Sequence, residues 1–286
     1  MISIILILLF VFSVLSVPVC HGVISGLYLY GMKIFPGLFI SFILTNILVR
    51  ILQQKNINNP WILVITGLMT GFPNGAYICS WYNKNNPENR LGDMLAGIIN
   101  IPSPAFLISY VYINILEKCI SLPMFLALTY TPVILCSYMV ILLFRDKDNK
   151  KDNAPHIKTG KKLIFHFFEE AVDSSINTAL KLGAYVIIFS VIVNIIMHFS
   201  QSNTVGLLIS YLFEISNGLA IIKNAGIPMN ITVLLTVLLD AFGGVCIIMQ
   251  TKSICSSYIS IKKYIYQKLV PVSYTHLRAH ETDSYL

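Results

Sequence analysis

The chain has 286 residues, 56% of them hydrophobic and only 12% charged, with a mean hydropathy of +0.73 and a formal charge of +7. A soluble domain carries about a quarter charged residues, so the composition excludes one and describes an integral membrane protein whose first partner is the lipid bilayer. The positive charge does not point to nucleic acid: seven Lys/Arg and three Asp gather at 145–162 with no interleaved aromatics, as in a topology-setting cytoplasmic loop.

Residues 2–17 are almost wholly apolar. They lack a basic leader and a small-residue cleavage site, and read as an uncleaved first span rather than a signal peptide. A second span covers 34–52, with Pro36 near its start, where a missing N–H is harmless, and Arg50 and Lys55 at a cytoplasmic end. The third apolar segment, 60–80, holds Gly67, Gly71, Pro73, Asn74 and Gly75. Glycine removes side-chain bulk and proline removes a donor. In hydrocarbon a broken backbone survives only inside protein or along a cavity, so this stretch is either a close helix crossing or a binding site built from an unwound helix.

A charge-balanced loop, 83–93, leads to a segment at 94–116 interrupted by Asn100-Ile101-Pro102-Ser103-Pro104, a second unwound or re-entrant point. Residues 120–144 form an ordinary span with a kink at Pro132. After the basic loop, 163–173 reads as an amphipathic interfacial helix carrying Glu169 and Glu170. Spans at 176–197, 204–222 and 228–251 follow, the last containing Gly243-Gly244, and Lys262, Lys263 and Lys268 form a third basic cluster. Residues 272–286 lose all apolar density and resemble the conceptual translation of a sequencing adapter. They are expected to be a non-native tail in place of the true C-terminus, and His276, His280 and Glu281 receive no function.

If the three basic clusters are all cytoplasmic, each interval between them contains an even number of crossings. Each holds three apolar segments, so one in each half must turn back. The spans at 34–52 and 176–197 then run in opposite directions. The expected fold is an all-α, polytopic membrane protein of about eight apolar segments. It forms one domain over 1–271, an inverted repeat of halves at about 27–116 and 163–270 with broken or re-entrant helices.

Two carboxylates, Glu214 and Asp240, fall within spans, where an acidic side chain costs about 2.5–3.5 kcal/mol on insertion scales. Each either handles a solute or proton or makes a structural hydrogen bond. Asn74, Asn100, Ser103, Asn217 and Gln250 lie near the expected breaks at Gly71, Pro73, Gly75, Pro102, Pro104, Gly218, Gly243 and Gly244. They would bind a polar ligand or bond other helices. The six cysteines show no CxxC or Cys/His spacing, so no metal site, disulfide framework or cofactor is expected. No HExxH, GxSxG or GxxxxGK[ST] occurs, and no catalytic residue is assigned.

Five motifs come in a distinctive order: Phe35-Pro36-Gly37-Leu38-Phe39, Gly71-Phe72-Pro73-Asn74-Gly75-Ala76, Asn100 with Ser103-Pro104-Ala105-Phe106, Glu214-Ile215-Ser216-Asn217-Gly218, and Phe242-Gly243-Gly244 with Gln250. Over residues 27–270 this resembles the YlbJ-type sporulation integral membrane proteins, whose core is called the nucleoside-recognition or Gate domain. Related gate domains occur in nucleoside transporters and in the ferrous iron transporter B. The resemblance implies a multi-pass protein of a spore-forming bacterium's cell membrane, forespore or mother-cell, with a nucleoside-like solute and a role in sporulation. Departures are the Pro-Ser-Pro created by Pro102, the added Asp240 and shortened last segments. No GTP-binding motif accompanies the core, which argues against iron transport driven by a G domain. The expectation is a carrier whose small polar solute faces Glu214, Asn217, Asn74, Asn100 and Ser103, with Glu214 or Asp240 carrying a proton. The alternative is a non-transporting scaffold for spore-envelope assembly, docking membrane partners or further copies of itself.

Overall fold

A computed structural model describes residues 2, 3, 6, 10, 13–55, 59–87, 90–144, 161–200, 204–255 and 258–270, and among them every regular element is helical. Most of the basic loop, seven of the sixteen residues of the expected span at 2–17 and the whole 272–286 tail lie outside the described residues.

Helix α1 (Ser16–Tyr28) runs on through a π-helical stretch, Leu29–Ile34, into α2 (Phe35–Lys55). The two arms are bent by 55°. Pro36 supplies the cause: it lacks an N–H and its ring crowds the carbonyl four residues back, which the wide π turn accommodates. Residues 18–33, which lie between the expected spans at 2–17 and 34–52, are thus helical as well. Gly22 and Gly26 explain its seat. A Cβ on Gly22 would stand 2.5 Å from the Cα of Val191, and one on Gly26 2.8 Å from the Cα of Ile187. Small residues four apart let two helix backbones touch.

Helix α3 (Pro60–Thr70) starts where Asn59 accepts the Trp61 N–H at 2.9 Å, with Pro60 at the first helical position. It is followed by α4 (Asn74–Asn85), α5 (Leu91–Ile99), α6 (Pro104–Phe106, continuing as a π-helix over Leu107–Ile115) and α7 (Leu122–Phe144). The second half holds α8 (Lys161–Ser200), α9 (Thr204–Phe213), α10 (Ile215–Asn224), α11 (Met229–Phe242), α12 (Gly244–Cys255) and α13 (261–270).

The interfacial helix and span expected at 163–197 are one uninterrupted helix of 40 residues. At 1.5 Å per residue it is about 60 Å long, twice the hydrocarbon thickness. Its polar residues dock α2 instead of ending a helix. Asn46 donates to the Ser175 hydroxyl at 3.1 Å and accepts from Tyr77 at 2.9 Å, and Arg50 pairs with Glu170.

Four stretches, Leu91–Ile115, Leu122–Phe144, Phe168–Ser200 and Met229–Cys255, are long and apolar enough to cross a membrane, or five if the bent pair Ser16–Ile34 and Leu38–Leu52 counts as one span. This is an all-helical architecture of the multi-pass membrane class. The segments at 60–80 and 204–222 are each divided into helices of 10–12 residues, short of the roughly 17–25 that a crossing needs.

One core cluster joins Leu63, Ala76, Leu95 and Ile99 of the first half to Cys255, Ile259 and Tyr264 from the end of the chain. Another packs Leu107, Val111 and Phe125 against Ile215, Leu219 and Val237. The halves are therefore interleaved, and α13 belongs spatially to the first.

Candidate functional site at the crossing of interrupted helices

Four helix interruptions lie in two crossed pairs. In the first, Gly71-Phe72-Pro73 separates α3 from α4 and packs on Asn100-Ile101-Pro102-Ser103, which separates α5 from α6. Gly71 has φ +73° and ψ −174°, a region essentially reserved for glycine, and a Cβ there would sit 2.4 Å from the Ser103 nitrogen. The Phe72 N–H donates to the Ile101 carbonyl at 2.9 Å, so each unwound strand satisfies the other. The stretch from Gly71 is accordingly both a close crossing and unwound backbone.

In the second pair, Glu214 separates α9 from α10, and the left-handed Gly243 (φ +84°), followed by Gly244 (φ +80°) at the first position of α12, separates α11 from α12. A Cβ on Gly244 would lie 3.2 Å from the Leu212 carbonyl. Glu214 is extended, and its carboxylate accepts the Asn217 N–H at 2.7 Å, capping α10. A carboxylate at a helix N-terminus meets the positive end of the helix dipole, which eases its near-complete burial.

Carbonyls freed at these interruptions find donors from elsewhere, as buried backbone must. Tyr130 donates to Pro102 O at 3.4 Å, while Tyr110 reaches the first turn of α10 and donates to Ser216 O at 3.1 Å. Helix α13 supplies the rest. Lys268, fully buried, donates to the carbonyl of Asn100 and, at 3.2 Å, to that of Ala241. Asn100 binds the Ala76 N–H at 3.2 Å, the Tyr264 hydroxyl at 2.7 Å and the Thr251 hydroxyl at 3.3 Å. One turn earlier, the Gln267 amide accepts from Gly97 N–H at 2.8 Å and donates to Asp93 O at 2.7 Å. Those two groups are an i, i−4 pair that an undisturbed helix would join directly, so Gln267 is inserted into the α5 ladder. Asp93 completes the dock by accepting the Ser260 N–H at 2.8 Å and Lys263 at 2.7 Å.

Between the crossed pairs lies a cavity of about 170 Å³, lined among others by Lys33, Phe72, Ser103, Glu214, Ser216 and Gln250. It draws side chains from the π-helical stretch Leu29–Ile34, α2, the α3–α4 and α5–α6 interruptions, α8, α10 and α12. The Ser216 hydroxyl is buried beside this site. The arrangement can take a small molecule that offers hydrogen-bond donors to Glu214 and presents an apolar face to Phe72 and Phe106.

Of the residues expected to face a solute, Glu214 and Ser103 line this cavity, joined by Gln250. Ser103 also caps α6 by accepting the Phe106 N–H at 3.3 Å. Asn100 does not line it; its amide is committed to three neighbouring groups. Asn217 faces a separate groove against α8 and donates to Ser190 at 3.3 Å. Asn74 is buried at the start of α4 with neither amide atom bonded. Asp240 is wholly buried, and both its carboxyl oxygens lack a partner. Gly218, expected at a break, lies inside α10, where a Cβ would meet the Tyr211 carbonyl at 2.6 Å. The actual break is four residues earlier, at the capping glutamate. Gly75 and Pro104 likewise stand in the first turn of a helix rather than in unwound chain. Among the described residues no group of three or more His, Cys, Asp or Glu could hold a metal ion.

Lys268, Tyr264 and Gln267 were not singled out from the sequence, where Lys268 reads as a cytoplasmic charge. The signal was present: Asp93, Gly97 and Asn100 share one helical stripe, and Ser260, Tyr264 and Gln267 share another.

These features define an all-helical membrane protein with a polar centre where interrupted helices cross. No family model, curated protein or solved structure matches the chain.

Proposed function

We propose that the protein is a multi-pass bacterial membrane carrier that binds and moves a small polar solute at the crossing of its interrupted helices. The observation that carries this is the cavity between the two crossed pairs, with Glu214 and serine hydroxyls along its wall. Interrupted helices that expose polar groups around a central site are a recurrent transporter design. If α3–α4 and α9–α10 are hairpins that turn back, two spans separate each neighbouring pair of basic clusters, and the parity argument closes. Each half then presents the same order, a span, a hairpin and an interrupted span, which fits an inverted repeat.

The likeness to YlbJ-type proteins makes a nucleoside-like solute and a role in sporulation the reading to test first. Uptake of labelled uridine, adenine, leucine and succinate into proteoliposomes tests it. Wild-type protein concentrates or equilibrates one class faster than empty liposomes, and Glu214→Gln slows it and alters its pH dependence. Full uptake by Glu214→Gln with an unchanged pH profile sinks the role of Glu214.

The scaffold reading draws on a different observation, that Asn100 gives all its hydrogen bonds to other helices. Absence of any flux, together with a membrane partner retained through purification, would favour it.

A further inference from the structure

Lys268 sits where two helix C-termini meet. Asn100 caps the end of α5, and Ala241 lies in the last turn of α11. Carbonyls there have no intrahelical partner and carry the negative end of the helix dipole. The ammonium bonds both, one from each half of the chain. It also lies 5.9 Å from the ring centre of Phe72 and 5.7 Å from that of Tyr264, within the range of cation–π attraction. No described carboxylate pairs with it. Asp240, next to Ala241, leaves both oxygens without a hydrogen-bond partner. A fully buried ammonium without a counter-charge is costly, so its presence calls for a reason beyond filling space.

We propose that this junction is a monovalent-cation site, built from the carbonyls of Asn100 and Ala241 and the rings of Phe72 and Tyr264, which the chain fills with its own tethered ammonium. It is distinct from the solute cavity: Phe72 borders both, but Asn100, Ala241, Tyr264 and Lys268 do not line the cavity. The two interrupted spans are thereby held together by a fixed charge instead of a dissolved ion. Removing the tether leaves a vacancy shaped for a primary alkylammonium, and propylammonium reproduces the side chain from Cγ to Nζ.

The test is rescue of Lys268→Ala in the full chain, purified in detergent, with propylammonium against its neutral isostere 1-propanol at equal concentration and ionic strength. Propylammonium raises the melting temperature of Lys268→Ala saturably by several degrees, 1-propanol does not, and neither wild type nor Lys268→Met, whose side chain fills the space, responds. Equal effects of amine and alcohol, no effect of the amine, or an equal response of Lys268→Met overturns the proposal. If Lys268→Ala is not recovered folded, the same comparison is read as the yield of monodisperse protein from membranes extracted in amine or alcohol. A yield restored by the amine alone supports the site, and equal or absent recovery rejects it.

Discussion

Asn100→Ala probes the first crossing most sharply. The Asn100 side-chain oxygen, Oδ1, accepts the Ala76 N–H, one of the orphan donors in the first turn of α4. Pro73, the residue at the N-cap position, has no side-chain oxygen to do so, and Asn100 supplies the cap from across the crossing. Its NH₂ group meanwhile holds Tyr264 and Thr251. Interhelical hydrogen bonds in membrane proteins average about 0.6 kcal/mol, so the three bonds sum to about 2 kcal/mol. An N–H left bare in a buried site adds a further ~1–3 kcal/mol. The expected loss is therefore about 3–5 kcal/mol, read from reversible unfolding in mixed micelles. A cycle with Tyr264→Phe separates the hydroxyl contact, with an expected coupling of about 0.5–1.5 kcal/mol. A loss below about 0.5 kcal/mol for Asn100→Ala, or zero coupling to Tyr264, would refute this account of the crossing.

Two glycines of positive φ give a contrast. Gly71→Ala meets both a glycine-only conformation and the Ser103 backbone, and loses about 3 kcal/mol or more; Gly226→Ala (φ +64°, nothing within 4 Å) loses only the ~1–2 kcal/mol of left-handed strain. Equal shifts in melting temperature would contradict the close approach at Gly71. Lys118 has φ +61° while its N–H bonds the Tyr112 carbonyl, so Lys118→Gly stabilises by up to about 1 kcal/mol; a lowered melting temperature argues against strain there. Glu117, exposed, is hydrogen-bonded by Lys223, which holds its carboxyl below the usual range. The stability from this pair is full above the unfolded carboxylate value and fades as pH falls through the lower folded value. A pH series comparing wild type with Glu117→Gln should show a small difference at neutral pH that vanishes in acid, and a difference that grows in acid would reverse the sign.

The helical, membrane-embedded character was legible because composition alone compels it. The interruptions near Gly71-Phe72-Pro73, Asn100–Ser103 and Gly243-Gly244 were legible for a local reason: glycine and proline alter backbone options wherever they occur. The interruption at Glu214 had no such signature. Glutamate is a good helix former, and its extended conformation arises from capping α10 and packing against Gly244, which are tertiary facts. The α1 helix carries no continuous apolar run, and its signal is instead Gly22 and Gly26, a spacing suited to a backbone contact. The α13 clasp is not legible from Lys268 itself, which stands in the sequence with Lys262 and Lys263 as one more solvated charge. Burial separates Lys268 from Lys263, which remains partly exposed on Asp93.

The most direct measurement is a thermal-shift titration of the purified protein with nucleosides, nucleobases, amino acids and small dicarboxylates, run beside Glu214→Gln. Glutamine keeps an oxygen to cap α10, so the variant should fold while losing the charge that faces the cavity. A ligand that binds only the native state raises its melting temperature. One class should stabilise wild type saturably, and Glu214→Gln should need about tenfold more of it or beyond, since a hydrogen bond to a charged group contributes about 1.5–3 kcal/mol. No shift from any member of the panel, or an identical response from the variant, would contradict a solute site at Glu214.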